Sequence, residues 1–191
     1  LRGQPEDYDD WAALGNEGWS WNDVLPYFKR HEHQERGADE LHGTGGEVKI
    51  SNIRATRDLC DAYIEAAQEI GIPANNDFNG PTQEGAGYFQ LFSENGRRCS
   101  SAVAFLRPAE NRANLKIQTN AVAHRIVFEG KRAVGVEFSV NGETSVAKCN
   151  SEVVLSAGAI GSPQILQVSG VGPGGLLASH GIDIVSESAG V

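Results

Sequence analysis

The run from Ser156 to Gly172, SAGAIGSPQILQVSGVG, constrains this chain more than any other stretch. A short apolar lead-in precedes it, Glu152 to Leu155, with β-branched Val153 and Val154 expected in a buried strand. Ser162 and Pro163 are expected to open a short helix and Gly170 to close it. A strand that ends at glycine, turns sharply and feeds a helix is the geometry of α/β nucleotide-binding domains. There the missing Cβ lets backbone approach a ligand or a neighbouring element. Two glycines three apart are common in turns, so the spacing alone leaves ligand contact and close packing both open.

At 191 residues, with 40% hydrophobic and 21% charged residues, the chain is long enough for a real core and too apolar for a disordered tail. Its net charge of −9 argues against nucleic acid and against an anionic membrane surface as partners. No apolar run approaches the ~18 residues that would span a bilayer. Three widely spaced cysteines, Cys60, Cys99 and Cys149, give neither a disulfide framework nor a zinc pattern, and read as reduced, cytosol-like thiols. His31, His33 and His42 are expected in a polar surface stretch rather than on a metal, because residues 31 and 33 cannot face the same way on a helix.

Along the chain, residues 1–46 read as short helices and loops. Asp7 to Leu14 is helix-like, Ser20 with Asp23 forms a capping arrangement, and Pro26 is expected to open a separate short helix through His31. The aromatic residues Trp11, Trp19, Trp21, Tyr27 and Phe28 read as anchors for this loop-rich part. Gly46 to Ser51 alternates as a strand. Thr56 is expected to cap a helix with Leu59, Tyr63, Ala66, Ala67 and Ile70 as its buried stripe, ended by Gly71. A loop over Pro73 to Gly87 leads to a short strand, Tyr88 to Phe92. Ser101 to Leu106 is expected as a helix terminated by Pro108. Four strand-like segments follow, Leu115 to Gln118, Val122 to Phe128, Ala133 to Phe138 and Thr144 to Ala147. Glu129-Gly130 and Asn141-Gly142 supply turns between them, the latter a strong hairpin signal. Gly170 to Gly175 is glycine-rich but interrupted by Pro173, and reads as a loop rather than a phosphate cradle.

Several of these stretches together resemble the glucose–methanol–choline (GMC) family of flavin-dependent oxidoreductases. The glycine turn is similar to its second signature. Gly15-Asn16-Glu17-Gly18-Trp19-Ser20-Trp21, Asp77-Phe78-Asn79-Gly80, Gly96-Arg97-Arg98-Cys99-Ser100-Ser101 and Arg132-Ala133-Val134-Gly135-Val136 match other parts in the family's order. The resemblance covers the whole chain and is closest to the choline-dehydrogenase-like branch. Family members are longer, so the chain is expected to be an internal piece lacking the N-terminal FAD glycine motif and the C-terminal catalytic segment.

The resemblance implies an α/β fold. A partial FAD/NAD(P)-binding Rossmann-like domain would carry an antiparallel meander and part of an α+β substrate-binding domain. Residues 1–43 would cover the FAD domain, 44–95 would belong to the substrate-binding domain and 96–191 to the FAD-binding domain. It implies oxidation of an alcohol CH–OH, choline-like or another primary alcohol, with hydride passing to flavin N5 and O₂ or a quinone as final acceptor. The family's base lies beyond Val191, so no catalytic residue and no metal ligand is assigned here. For the cofactor, Ala123 matches the position whose backbone pairs with the FAD adenine, with an ordinary strand residue as the alternative. Ala157 and Gly158 are expected beside its ribose or diphosphate, with tight helix–strand packing as the alternative. A hydroxynitrile-lyase-type enzyme on the same scaffold, or a non-enzymatic module that has lost the cofactor, are the rival readings.

Overall fold

In the computed structural model, which describes residues 1–191, the chain begins with two capped helices. Helix α1 spans Pro5–Ala13 and α2 spans Trp21–His31. Each start is closed by an aspartate three residues on. The Gln4 amide donates to Asp7 Oδ2 at 2.7 Å, and Ser20 donates to Asp23 Oδ2 from its amide at 3.2 Å and its hydroxyl at 2.6 Å. Pro26 does not open a second helix, because α2 runs through it. Proline at the sixth helical position removes one hydrogen bond, to the Asn22 carbonyl, and that carbonyl lies on an exposed turn where water can replace it. Four of the five expected aromatic anchors form one connected cluster through Tyr8, which is in ring contact with Trp11, Trp21 and Phe28, with Trp19 against Trp11, while Tyr27 is exposed and outside it.

Four short strands follow in one sheet, ordered β1-β2-β3-β4. They are β1 Glu32–Gln34, β2 Val48–Ser51, β3 Leu91–Glu94 and β4 Arg97–Arg98. The expected strand at 46–51 is β2, the one at 88–92 sits slightly later as β3, and β1 and β4 were not foreseen. The β1–β2 pair is parallel and the other two pairs are antiparallel. Val48, Cys99 and Ala104 form the core beneath this sheet, with Ile50 against it.

Helix α3 covers Asp58–Glu69 behind Arg57 rather than a Thr56 cap. It ends as expected at Gly71, whose amide and that of Ile72 donate back to Gln68 and Ala67. Its apolar stripe is not buried. Leu59, Tyr63 and Ile70 are 73–80% exposed and only Ala67 is covered. Periodicity fixes which face is apolar, but no element of this chain lies against it. Beyond β4, a π-helical turn at Ala102–Leu106 runs directly into α4, Arg107–Ala109. Pro108 therefore lies inside the helical segment, where the wider turn already alters the hydrogen-bond ladder that proline would break.

The chain folds as two compact units, Leu1–Leu115 and Lys116–Val191. The second is built on an antiparallel meander, β5 Ala121–Glu129, β6 Arg132–Val140 and β7 Glu143–Lys148. Asn141 and Gly142 turn β6 into β7 with φ of 52° and 87°, the two left-handed residues that a two-residue hairpin requires. Leu115 to Gln118 forms no strand, and neither does Glu152 to Leu155. Both are rich in strand formers, yet no neighbouring strand pairs with them, and Val154 is 77% exposed. Helix α5 spans Gly158–Val168, four residues earlier than Ser162 suggested, with Pro163 inside it at the same sixth position as Pro26 in α2. Gly170 to Gly175 is not a plain loop. It contains β8 Val171–Gly172, parallel to β9 Ser186–Glu187, and the start of α6, Gly174–Ser179.

Candidate functional site

Gly158 is the residue around which the second unit's candidate site is built. Its φ is +82°, a conformation that side-chain-bearing residues rarely adopt, and a Cβ built there would meet nothing within 4 Å. Within this chain, conformation and not crowding is what demands glycine. Ser162 contributes from inside the helix: its hydroxyl accepts the Ala157 amide proton at 3.0 Å and braces the turn. Ala157, the N-cap of α5, is exposed, with its carbonyl taken by the first intrahelical bond, while the first amides of α5 have no partner within the helix. The surroundings are open, with Ile160 85% exposed.

Ala123 lies on β5, the outer strand of the meander, and is exposed. The pairing with β6 shifts register between Ala123 and Arg125, which leaves His124 as a bulge residue. Backbone N–H and C=O groups on such an edge are available to a ligand. Ile126, three residues on, donates its amide to Ser169 Oγ at 2.8 Å, and Ser169 donates in turn to the Ile165 carbonyl of α5. Ala123, Ala157 and Gly158 thus belong to one unit joined by β5 and α5.

The glycine-rich stretch at 170–175 is satisfied internally. Gly174, at the start of α6, donates its amide to both carboxylate oxygens of Glu187, at 3.0 and 2.9 Å. A carboxylate already occupies the place a phosphate would take.

In the first unit, sequence reasoning missed a buried polar cluster. His42 is 3% exposed, contrary to the expected surface position, and Glu32 is 1% exposed. His42 Nδ1 lies 3.0 Å from Glu32 Oε1, and Nε2 lies 2.9 Å from Asp77 Oδ2. Arg2 donates from Nη2 to Glu32 Oε2 at 2.7 Å and from Nη1 to the Leu41 carbonyl at 2.5 Å, with its guanidinium 5.3 Å from the Phe28 ring centre. Gly43 adds its amide to Glu32 Oε2 at 2.9 Å, and a Cβ on Gly43 would lie 1.9 Å from the Lys29 carbonyl oxygen. The only sequence signal was the acid–histidine alternation around residue 32, because partners at positions 2 and 77 come from distant segments.

The neighbouring carboxyls are shifted by the same economy of donors. Burial pushes Asp39 up, but the amides of Leu41 and His42 on its carboxylate outweigh this and hold it below the ordinary range. Glu35 is held low chiefly by the Asn52 amide, against burial, with Arg54 assisting. Burial, and then the hydrogen bond it makes to Asp61, push the Tyr88 hydroxyl up. An open groove of about 1360 Å³ lies beside β2–β4, and the charged side chains lining it, Arg54, Arg97 and Arg98, are all basic. It offers no anionic partner to a cation.

A family profile described as GMC oxidoreductase matches residues 1–180. Over all 191 residues the chain is 42% identical to an oxygen-dependent choline dehydrogenase of Brucella anthropi and 41% identical to the mitochondrial choline dehydrogenase of Homo sapiens. It spans about a third of the length of these curated relatives, 35% and 32% respectively. An FAD-dependent oxidoreductase from Chaetomium thermophilum superposes with a TM-score of 0.91 at 31% identity, over 100% of this chain and 36% of that one. A pyridoxine 4-oxidase from Mesorbium loti does so with 0.88 at 30% identity, over 98% and 37%. The expected α/β class stands, with the antiparallel meander among its elements. The profile match and the full-length resemblance lead to one conclusion: the chain belongs to the GMC oxidoreductase family.

Proposed function

We propose that the protein carrying this chain is an FAD-dependent oxidoreductase that oxidises the CH–OH of a small alcohol, choline or a related primary alcohol, with O₂ as the acceptor. The observation that carries this is the open turn at Ala157–Gly158, on the same unit as the free edge of β5 at Ala123. Both are surfaces that a dinucleotide can read through backbone alone, and their geometry fits FAD. Ala123 would present its backbone N–H and C=O to the adenine edge. Gly158 would let the ribose or diphosphate approach the start of α5, whose dipole favours a negative group. FAD, when bound, supplies the two-electron acceptor for the substrate carbon. Kinship to choline dehydrogenases and to FAD-dependent structures supports the same reading. Within the chain, residues 44–95 would belong to the substrate-binding part and 96–191 to the FAD-binding part. The basic groove of the first unit is not where a quaternary ammonium would be held.

The test is spectroscopic. Purified intact protein should show the two near-visible bands of oxidised flavin, and anaerobic choline or another primary alcohol should bleach them. Admitting O₂ should restore them. A colourless protein defeats the cofactor reading, and a yellow one that no alcohol bleaches defeats the redox reading.

A further inference from the structure

We propose that His42 is a proton-dependent latch that holds the loop around Asp77 against the sheet of the first unit. The ring lies between two carboxylates, Glu32 Oε1 at 3.0 Å from Nδ1 and Asp77 Oδ2 at 2.9 Å from Nε2. A carboxylate only accepts, so both contacts are hydrogen bonds only while both ring nitrogens carry hydrogen. A neutral ring has one N–H, and its bare nitrogen then faces an acceptor oxygen.

The two carboxylates are unequal. Glu32 is fully buried and already receives Arg2 Nη2 and the Gly43 amide. Asp77 is 28% exposed and can turn to water. The remaining proton therefore stays with Glu32, and the contact with Asp77 is lost. The charged groups facing the ring are Glu32, Asp77 and Asp39, whose Oδ1 accepts the His42 amide, with Arg2 paired to Glu32. Lys29 is turned away, its Nζ held by the carbonyls of Asp39 and Glu40. The sign follows: the latch is closed on the acid side of the ring's titration and opens as pH rises through it.

What the latch holds is specific. Asp77 Oδ1 accepts the Asn79 amide at 3.0 Å, and the Asp77 carbonyl accepts that of Gly80. Phe78 stacks on Phe89 at 4.4 Å, and both line a small cavity with Asp77, Tyr88 and Gln90. Opening would therefore loosen one wall of that cavity while Arg2 still tethers Asn79 through its amide at 2.8 Å.

The experiment uses intact protein with ¹⁵N-labelled histidine rings, followed from about pH 5 to pH 9. Hydrogen exchange of the peptide spanning 75–83 is read in parallel and normalised for intrinsic base catalysis. As the His42 nitrogens report loss of one proton, exchange at 77–80 should rise at least about fivefold, ~1 kcal/mol of lost protection. Asp77→Asn should abolish the step, since a carboxamide can accept from the charged ring and donate to the neutral one. Three results would overturn the latch: a ring that does not titrate while the protein is folded, a ring that titrates with no change in exchange, or an undiminished step in Asp77→Asn.

Discussion

The buried cluster around Glu32 and the open turn at Gly158 solve the same problem, unpaired polar groups, in opposite ways. At Glu32 every donor and acceptor finds a partner within residues 1–83, and across the molecule no buried side-chain nitrogen or oxygen is left unpaired. At residues 152–155 no strand pairs with the backbone, and the apolar side chains Val154 and Ile160 are exposed. The chain exposes 13643 Å² in all, where a folded monomer of its 20.4 kDa would expose about 8800 Å². Charge is closed locally here, whereas the apolar surface and the glycine turn stay open.

That contrast can be broken or sharpened by substitution, beginning with the largest effect. Glu32→Ala strands the Arg2 guanidinium, His42 and the Gly43 amide together. It should cost about 3–5 kcal/mol. All three tryptophans, Trp11, Trp19 and Trp21, lie in the same unit, so their fluorescence during denaturant unfolding reads this loss directly. A loss below about 1 kcal/mol would mean that the cluster is not a cooperative unit.

Gly158 comes next. Gly158→Val places a branched side chain at positive φ and should cost about 1–3 kcal/mol in strain. Gly158→Asn, a residue that tolerates this conformation, should leave the apo-protein's melting temperature almost unchanged. If FAD lies against the turn, both variants should retain flavin at least about tenfold more weakly, ~1.4 kcal/mol, in equilibrium dialysis. An asparagine variant that holds flavin as the parent does would remove Gly158 from the cofactor edge.

Smaller still is Asn141→Val in the β6–β7 turn, where φ is 52°. A β-branched residue there should cost about 1–2 kcal/mol, seen as faster exchange of the β7 amides with the first unit unaffected.

The smallest effect concerns acid. Asp39 titrates lower in the folded chain than its unfolded value of about 3.9, so its contribution is present above that value. It is lost as pH falls through the lower folded one. Asp39→Asn should flatten the acid limb of the stability profile slightly, and an unchanged limb would show that the amides of Leu41 and His42 do not favour the charged form.

What was legible in the sequence was local. The cap at Ser20, the stop at Gly71 and the Asn141-Gly142 hairpin each depend on a few adjacent residues, and each appears. Prolines misled because their cost was overstated: Pro26, Pro108 and Pro163 all lie inside helical segments. Burial was the other failure. Apolar runs at 59–70 and 153–155 show what a segment needs covered, not whether this chain supplies the cover. His42 failed in the opposite sense, because its partners lie 10 and 35 residues away. Of the candidate site, the glycine turn was visible, but its brace by Ser162 appears only once α5 is seen to begin at Gly158.

One hydroxyl has a wider consequence. Ser169 receives the Ile126 amide of β5 and donates to the Ile165 carbonyl of α5, pinning strand to helix at a single atom. Ala123 and Gly158, far apart in sequence, therefore move as parts of one rigid piece. A dinucleotide reading both would meet a surface whose spacing is set before it arrives. Little of its binding energy would then go into ordering the protein, and its arrival rate would not wait on a slow rearrangement.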